Sequence, residues 1–492
     1  MFPNATTEDI NQVMEAAQTA FLSFRTKSGK EKATFLRAIA DEIEALGAEL
    51  IQTAMQEAHL PEARLVGERG RTCFQLRSFA DLVEEGSWID ATIDTALPDR
   101  LPLPKPDIRK ISIPLGPVVV FGASNFPFAY STAGVDPASA WAAGCSVVVK
   151  AHPGHPETSE LVASAIRKAV ARTGMPEGVF GHVHSTGFEA GQALVMHPLT
   201  KAVGFTGSFA GGKALFDMAN QRPEPIPVFA EMGSTNPVFL MPEALQHNAQ
   251  GIAKQYAGSI TLGMGQFCTK PGLIFGIEGA DLDAFVEALA EAIQGIAPQP
   301  MLHGGIAKAF RTKRQQVLEG AHLAAENAQT QTELEGIPSI ATVSGAEFLA
   351  NKTLHQEVFG PFSLVVKCSN MDELRTIITH LEGQLTATLM ATEADLRAYA
   401  DVMQSVSLLC GRLVLNGVPT GVEVCPAMQH GGPFPSSTDG RFGSVGAHAI
   451  RRFVRPLSYQ GFADEFLPDE LKNTNPLNIW RLVNSVWTKD VI

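Results

Sequence analysis

The chain of 492 residues is 45% hydrophobic and 18% charged, with a formal net charge of -13. At about 150 residues per domain this is material for roughly three packed units, while the acidic balance supplies no general field for a nucleic acid backbone or an anionic membrane. The six cysteines stand singly with no C-x-x-C pair, there is no basic and apolar leader, and no run approaches the roughly 18 apolar residues of a membrane span. A reducing compartment, the cytoplasm, is expected, with neither nucleic acid nor membrane as partner.

The first elements read as helices. Thr6 to Asp9 offer a cap and an acidic first turn, and Ile10, Val13, Met14, Ala17, Phe21 and Phe24 follow at helical spacing. Residues from about 30 to 86 continue in this style. The stretch TALPDRLPLPKPDIRKISIPLGP then places prolines at 98, 102, 104, 106 and 114, too many for a helix interior, and marks an excursion from the first unit.

From Pro117 onward, short β-rich runs alternate with helical stretches: VVVFGA, Ser131 to Ala143, CSVVVKA, Glu157 to Thr173, VFGHVH, Phe188 to Met196, KAVGFTG, Phe209 to Ala219 and IPVFAE. Runs this apolar suit strands buried on both faces, and the alternation predicts a doubly wound α/β unit with a parallel sheet, whose strand ends line a ligand crevice. A second α/β region is expected from Met232 to Thr438. RRFVRPLSYQ reads as a late strand, followed by an amphipathic end that includes Ile479, Trp480, Leu482, Val483, Val486 and Trp487.

Chemistry-bearing residues fall at these strand ends. Asn125 in FGASNFPFAY can donate from its carboxamide to a developing oxyanion, and Lys150 in VVVKAHPGHP can donate to ribose or phosphate. In GFTGSFAGGKAL, Gly207 and Ser208 close a strand and Gly212 lies in the helix that follows. That arrangement suits a pyrophosphate but lacks the G-x-G-x-x-G spacing, and as an isolated match it is more often an ordinary tight turn. Glu231 ends PVFAEMGSTNP, and Cys268 stands among glycines in TLGMGQFCTKPGLIF. A sulfur nucleophile with a carboxylate base is the pairing that acyl-enzyme chemistry needs.

SNFP, VVVK, FTGS with its later glycine, AEMG, GQFCT and EVFGPF stand in the order and approximate spacing of the aldehyde dehydrogenase superfamily, which the chain resembles over nearly its whole length. The resemblance implies Cys268 as nucleophile, Asn125 with the Cys268 backbone N–H as oxyanion hole, and Glu231 as the base for thioester hydrolysis. It implies Lys150, Ser208 and Gly212, with Gly207 and Ser124 beside them, on the adenosine and pyrophosphate side of a nicotinamide cofactor, and Glu357 and Phe359 at the nicotinamide riboside. No metal is required. Relatives that pass the acyl group to coenzyme A typically lack the glutamate, so Glu231 favours water. The implied layout is a cofactor domain (1–92 and 113–231), a catalytic domain (232–440), a β oligomerisation arm (93–112 and 441–464) and a C-terminal tail (465–492), assembled as a homodimer or homotetramer.

The chain departs from the family's pattern at two positions, of which the first carries a consequence. Many relatives carry a glutamate three residues after the strand lysine, where it binds the ribose hydroxyls; here Pro153 stands there, so NADP is expected as the preferred cofactor and NAD as a poorer one. Ser124 stands where many relatives carry tryptophan. The segment LNGVPTGVEVCPAMQHGGPF resembles the branch with the NADP-linked α-ketoglutaric semialdehyde dehydrogenases, to which the fatty aldehyde dehydrogenases of luminous bacteria are also similar. An oxo-acid aldehyde needs cationic groups, and Arg64, Arg71 and Arg77 in EARLVGERGRTCFQLRSF, together with His430, are the candidates to line its tunnel. The bland reading of those arginines is pairing with carboxylates on a solvated helix. A non-catalytic homologue would show damage at Cys268, Glu231 or Asn125, and all three are present. His182-x-His184 would share a strand face, but no further ligand is marked in the sequence, so it reads as structural.

Overall fold

A computed structural model describes residues 2–492. The valine-rich runs after Pro117 form the strands Val118–Phe121, Val147–Lys150, Phe180–Val183, Ala202–Thr206 and Val228–Glu231, all parallel. Their order in the sheet is 180–183, 147–150, 118–121, 202–206, 228–231. The chain winds outward from the central strand, returns, and winds the other way, so the reversal falls between Val118–Phe121 and Ala202–Thr206. Sheets of this kind open a crevice beyond the carboxyl ends of such a pair. Asn125, Lys150, Gly207, Ser208 and Glu231 all follow or end these five strands.

The helix Val135–Ala143 is apolar around most of its circumference and wholly buried, as a helix covered on all sides must be. Outside it pack Gly29–Ala45 and Glu62–Glu85. The latter begins after Pro61 and stops at Gly86, whose φ of 89° is a left-handed cap open to glycine.

A second sheet takes the order His322–Glu326, Ser339–Ser344, Phe362–Cys368, Leu273–Ile277, Val238–Leu240, Gln384–Met390, Cys410–Leu415. Only the edge strand His322–Glu326 runs antiparallel. The link from the first sheet to the second is the short segment between Glu231 and Val238, so the glutamate stands where the two layers meet.

The third sheet has the order Val454–Gln460, Ile108–Pro114, Thr92–Asp94, Arg481–Val483, Val486–Thr488. The final stretch, expected to be a separate tail, thus contributes two strands to the sheet of the proline-rich arm. The cause is local: Asn484 and Ser485 adopt positive φ (46° and 70°), making the two-residue turn that suits a tight hairpin, and Leu471 and Ile479 bury against Ile93 and Ile111. Among the described residues no helix is long and apolar enough to cross a membrane.

Candidate active site

Cys268 lies on the loop between the helix Pro242–Thr261 and the strand Leu273–Ile277. Gly263, Met264 and Gly265 have φ of 55°, 54° and 63°, so the chain turns sharply and holds a methionine in a conformation that side chains disfavour. A Cβ on Gly265 would lie 2.2 Å from the Gly360 carbonyl oxygen, which ties this loop to the EVFGPF segment. Buried Asn236 donates from Nδ2 to the carbonyls of Cys268 (2.8 Å) and Lys270 (3.0 Å). Lys270 in turn donates from Nζ to the carbonyls of Val358 (3.1 Å) and Phe362 (2.7 Å), and burial brings its ammonium down to about 8. Sequence reasoning passed over both residues. Their only signals were an asparagine before proline in GSTNP and a lysine at the mouth of an apolar run.

Three groups meet at the sulfur. His430 Nε2 is 3.5 Å from Cys268 Sγ and 2.9 Å from Glu231 Oε1, and the three ligand atoms lie within 4.8 Å of one another. Ser444 Oγ donates to Glu231 Oε2 at 2.7 Å. Oε1 faces the imidazole at that 2.9 Å separation, so one carboxylate oxygen is fixed by the serine and the other is paired with His430. Burial and the adjacent Glu231 push the Cys268 thiol well above its ordinary value. Burial opposes charge on Glu231, but His430 and Ser444 outweigh it and hold the carboxyl below its ordinary value. The pair therefore rests as thiol and carboxylate.

Asn125 donates from Nδ2 to the Gln266 carbonyl at 3.1 Å, which brings the carboxamide beside the Cys268 loop with one N–H uncommitted. Its own carbonyl accepts from Arg64 Nη2 at 2.7 Å. The Arg64 guanidinium sits 4.7 Å from the Phe126 ring and 4.4 Å from the Phe267 ring. These are the residues directly after Asn125 and directly before Cys268, so Arg64 braces both halves of the expected oxyanion hole, with Nη1 left unpartnered. Arg71 donates to the Tyr130 hydroxyl at 3.3 Å and keeps a buried Nε without a partner.

Arg77 does not reach the site. It pairs on the surface with Glu44 (2.7 Å) and Asp41 (2.9 Å), because at about 100° per residue its position on the helix is rotated by about 220° from Arg64. Arg412, on the strand Cys410–Leu415, was not foreseen. It donates to the Gly421 carbonyl at 2.9 Å and to that of Pro419, and its buried Nε is unpartnered.

The expected cofactor residues divide into two groups. Lys150 ends its strand with no ion pair among the described residues, and burial lowers its ammonium; an orphaned cation of this kind fits a ribose or phosphate. Half-buried Ser124 stands beside Asn125. The Glu357 carboxyl, raised by burial, comes so close to Gly233 that a Cβ there would lie 2.5 Å from its Oε2, and half-buried Phe359 follows two residues on. Ser208, by contrast, caps the helix Phe209–Asn220 by accepting the Gly211 N–H at 3.2 Å, and the Gly207 N–H donates to the Glu231 carbonyl. A Cβ on Gly212 would lie 2.6 Å from Met232 Cγ, so this glycine serves the close packing of helix on strand end.

The aldehyde dehydrogenase family model matches residues 1–456. The chain is 50% identical over 484 residues to α-ketoglutaric semialdehyde dehydrogenase 2 of Azospirillum brasilense, covering 98% of this chain and 92% of that protein. It is 46% identical over 493 residues to the α-ketoglutaric semialdehyde dehydrogenase of Acinetobacter baylyi, covering 100% and 93%. Among solved structures, a glyceraldehyde-3-phosphate dehydrogenase of Methanocaldococcus jannaschii complexed with NADP superposes with a TM-score of 0.78 at 18% identity, covering 93% of this chain and 95% of that one. With a cysteine, a carboxylate and a carboxamide gathered where two α/β layers meet, the chain belongs to the aldehyde dehydrogenase family and is an oxidoreductase acting on aldehydes.

Proposed function

We propose that the protein oxidises 2,5-dioxopentanoate, α-ketoglutaric semialdehyde, to 2-oxoglutarate with NADP, in the cytoplasm and as a homodimer or homotetramer. The observation that carries the chemistry is the meeting of Cys268, Glu231 and His430 beside Asn125. The two bacterial relatives bear the name of this activity.

In this reading Cys268 Sγ attacks the aldehyde carbon and its proton passes to Glu231 Oε1. The uncommitted Asn125 N–H and the Cys268 backbone N–H receive the oxyanion, an interaction whose loss costs about 10²–10³ in kcat. Lys150, Ser124, Glu357 and Phe359 are the residues that would hold NADP, which supplies the hydride acceptor when bound. The oxidised carbon is a thioester on Cys268. Once Glu231 has released the thiol's proton to solvent, it draws a proton from the attacking water, a contribution of about 10²–10⁴ for general base catalysis, and returns it to the departing Cys268 sulfur as the acid leaves.

Two features support NADP and the oxo-acid. No carboxylate pairs with Lys150 among the described residues, and exposed Pro153 stands where relatives carry the ribose-binding glutamate. Arg71 and Arg412 each keep a buried, unpartnered Nε, the kind of N–H group a distal carboxylate or oxo group takes up. For assembly, the strands Val454–Gln460 and Val486–Thr488 at the two ends of the arm's sheet offer edges to a second copy.

The test is kcat/KM for 2,5-dioxopentanoate against succinic semialdehyde, glutaraldehyde and decanal, each with NADP and NAD. The oxo-acid with NADP is expected to lead. Decanal in first place would overturn the substrate, and NAD in first place would overturn the cofactor.

A further inference from the structure

His182 and His184 take no part in the aldehyde chemistry. Successive side chains alternate across a strand, so residues two apart point the same way, and here they point from the edge strand Phe180–Val183 and the residue just beyond it toward the helix Pro156–Thr173. That helix supplies the third group the sequence did not mark. Glu160 Oε2 is 3.1 Å from His182 Nδ1 and 3.2 Å from His184 Nε2, and the three atoms lie within 4.8 Å of one another.

In a tetrahedral site with metal–ligand bonds of about 2.0–2.1 Å, neighbouring ligand atoms stand about 3.3 Å apart, close to the spacing observed. The outer contacts also fit. His182 Nε2 is 3.0 Å from Ser159 Oγ, which lies 2.5 Å from Thr132 Oγ1, and Arg167 holds Glu160 Oε1 at 2.6 Å. A metal-bound imidazole gives its other N–H to such a partner, and a ligating carboxylate is itself hydrogen-bonded. Phe2 stacks on the His184 ring at 4.1 Å and 7°, and the Ala5 N–H donates to the His184 carbonyl at 2.8 Å.

We propose that Glu160, His182 and His184 bind a divalent zinc ion that fastens the N-terminal segment and the helix Pro156–Thr173 to the edge of the first sheet. Two imidazoles and one carboxylate form a zinc donor set, unlike the all-oxygen shells of calcium and magnesium. The remaining coordination position falls to water.

Because Cys268, Glu231 and His430 form a second cluster of possible ligands, the measurement is made on the full chain carrying Cys268→Ala. Metal-stripped protein is dialysed against buffered Zn²⁺, and one ion per chain is expected. Adding His184→Gln or Glu160→Gln should weaken binding by at least about 100-fold, since even the loss of an outer partner costs about 10–100-fold. Both added changes are first checked for the parent's cooperative melting, and whichever passes is used. Bound Co²⁺ in the Cys268→Ala protein should give visible d–d bands without a thiolate charge-transfer band. Failure of Cys268→Ala to take up zinc one to one, or equal affinity in the doubly substituted chain, overturns the proposal.

Discussion

Arg64 offers the sharpest test of how this site is held together. If its task is to position Asn125 and the Phe267–Cys268 peptide, its removal can cost no more than the oxyanion hole is worth, about 2.7–4 kcal/mol or 10²–10³ in kcat. The interactions it makes are of that order: a hydrogen bond from a cation to the Asn125 carbonyl at 2.7 Å, worth about 1.5–3 kcal/mol, and two ring contacts of about 0.5–2 kcal/mol each. Part of this energy is structural, so Arg64→Ala should lower kcat by about 10- to 100-fold. Arg64→Lys, which keeps the charge but not the planar fork, should fall between the two. Glu68 lies 4.0 Å from the guanidinium and accepts the buried Phe128 and Ala129 N–H groups, so removing its cation also weakens folding. Rates are therefore normalised by titrating reactive Cys268. The assay is a double-mutant cycle in kcat with 2,5-dioxopentanoate and with propanal. Arg64→Ala combined with Asn125→Ala should be no slower than Asn125→Ala alone, to within about 0.5 kcal/mol, and the loss should be equal for the anionic and the neutral aldehyde. Multiplicative losses, or a rise in KM confined to the anionic substrate, would refute the positioning role and restore Arg64 as a substrate clamp.

Glu231→Gln should release reduced cofactor in a slowed burst, since the amide cannot take the thiol proton, and then stall at the thioester, since it cannot activate water either; a normal steady rate in stopped-flow absorbance would exclude Glu231 as the hydrolytic base. Alkylation of Cys268 by iodoacetamide should keep rising with pH beyond the ordinary thiol value of about 8.5, because burial and Glu231 raise the folded thiol. His430→Gln should move that profile further upward by removing an N–H that favours the thiolate. Pro153→Glu, which restores a carboxylate near Lys150, should shift the NADP-to-NAD ratio of kcat/KM toward NAD by about 10-fold or more through repulsion of the 2′-phosphate. Arg77→Ala should leave kcat and KM unchanged and cost about 0–1 kcal/mol in a melting experiment.

The first sheet was legible in the sequence because its strands are buried on both faces: VVVF, VVVK and the runs after them have no other stable reading than a parallel sheet. Cys268, Asn125 and Glu231 were legible for a related reason, since each ends or follows a regular element and sits among residues that pattern alone does not explain. The C-terminal hairpin was not. Leu482, Val483, Val486 and Trp487 fit helical spacing as well as strand alternation, and the left-handed Asn484–Ser485 turn that decides between them lacks the glycine that marks most such turns.

The residues that hold the site in shape were the least legible, and the reason is physical. Asn236, Lys270 and Arg64 act by donating to backbone carbonyls. Every residue carries a carbonyl, so the partner leaves no trace in the sequence. His430 illustrates the same limit from the other side: in QHGGPF it is one histidine in a glycine-rich loop, and only the fold brings its Nε2 to 3.5 Å from a sulfur that precedes it by more than half the length of the second unit. Glu231 then has to be read differently. With Oε2 fixed by Ser444 and Oε1 facing His430 Nε2 at 2.9 Å, the carboxylate is held at a defined place and kept ionised next to a protonated thiol. In the proposed mechanism a proton from the sulfur goes to Oε1 and then to solvent, and only after this release is the same carboxylate a base for the attacking water.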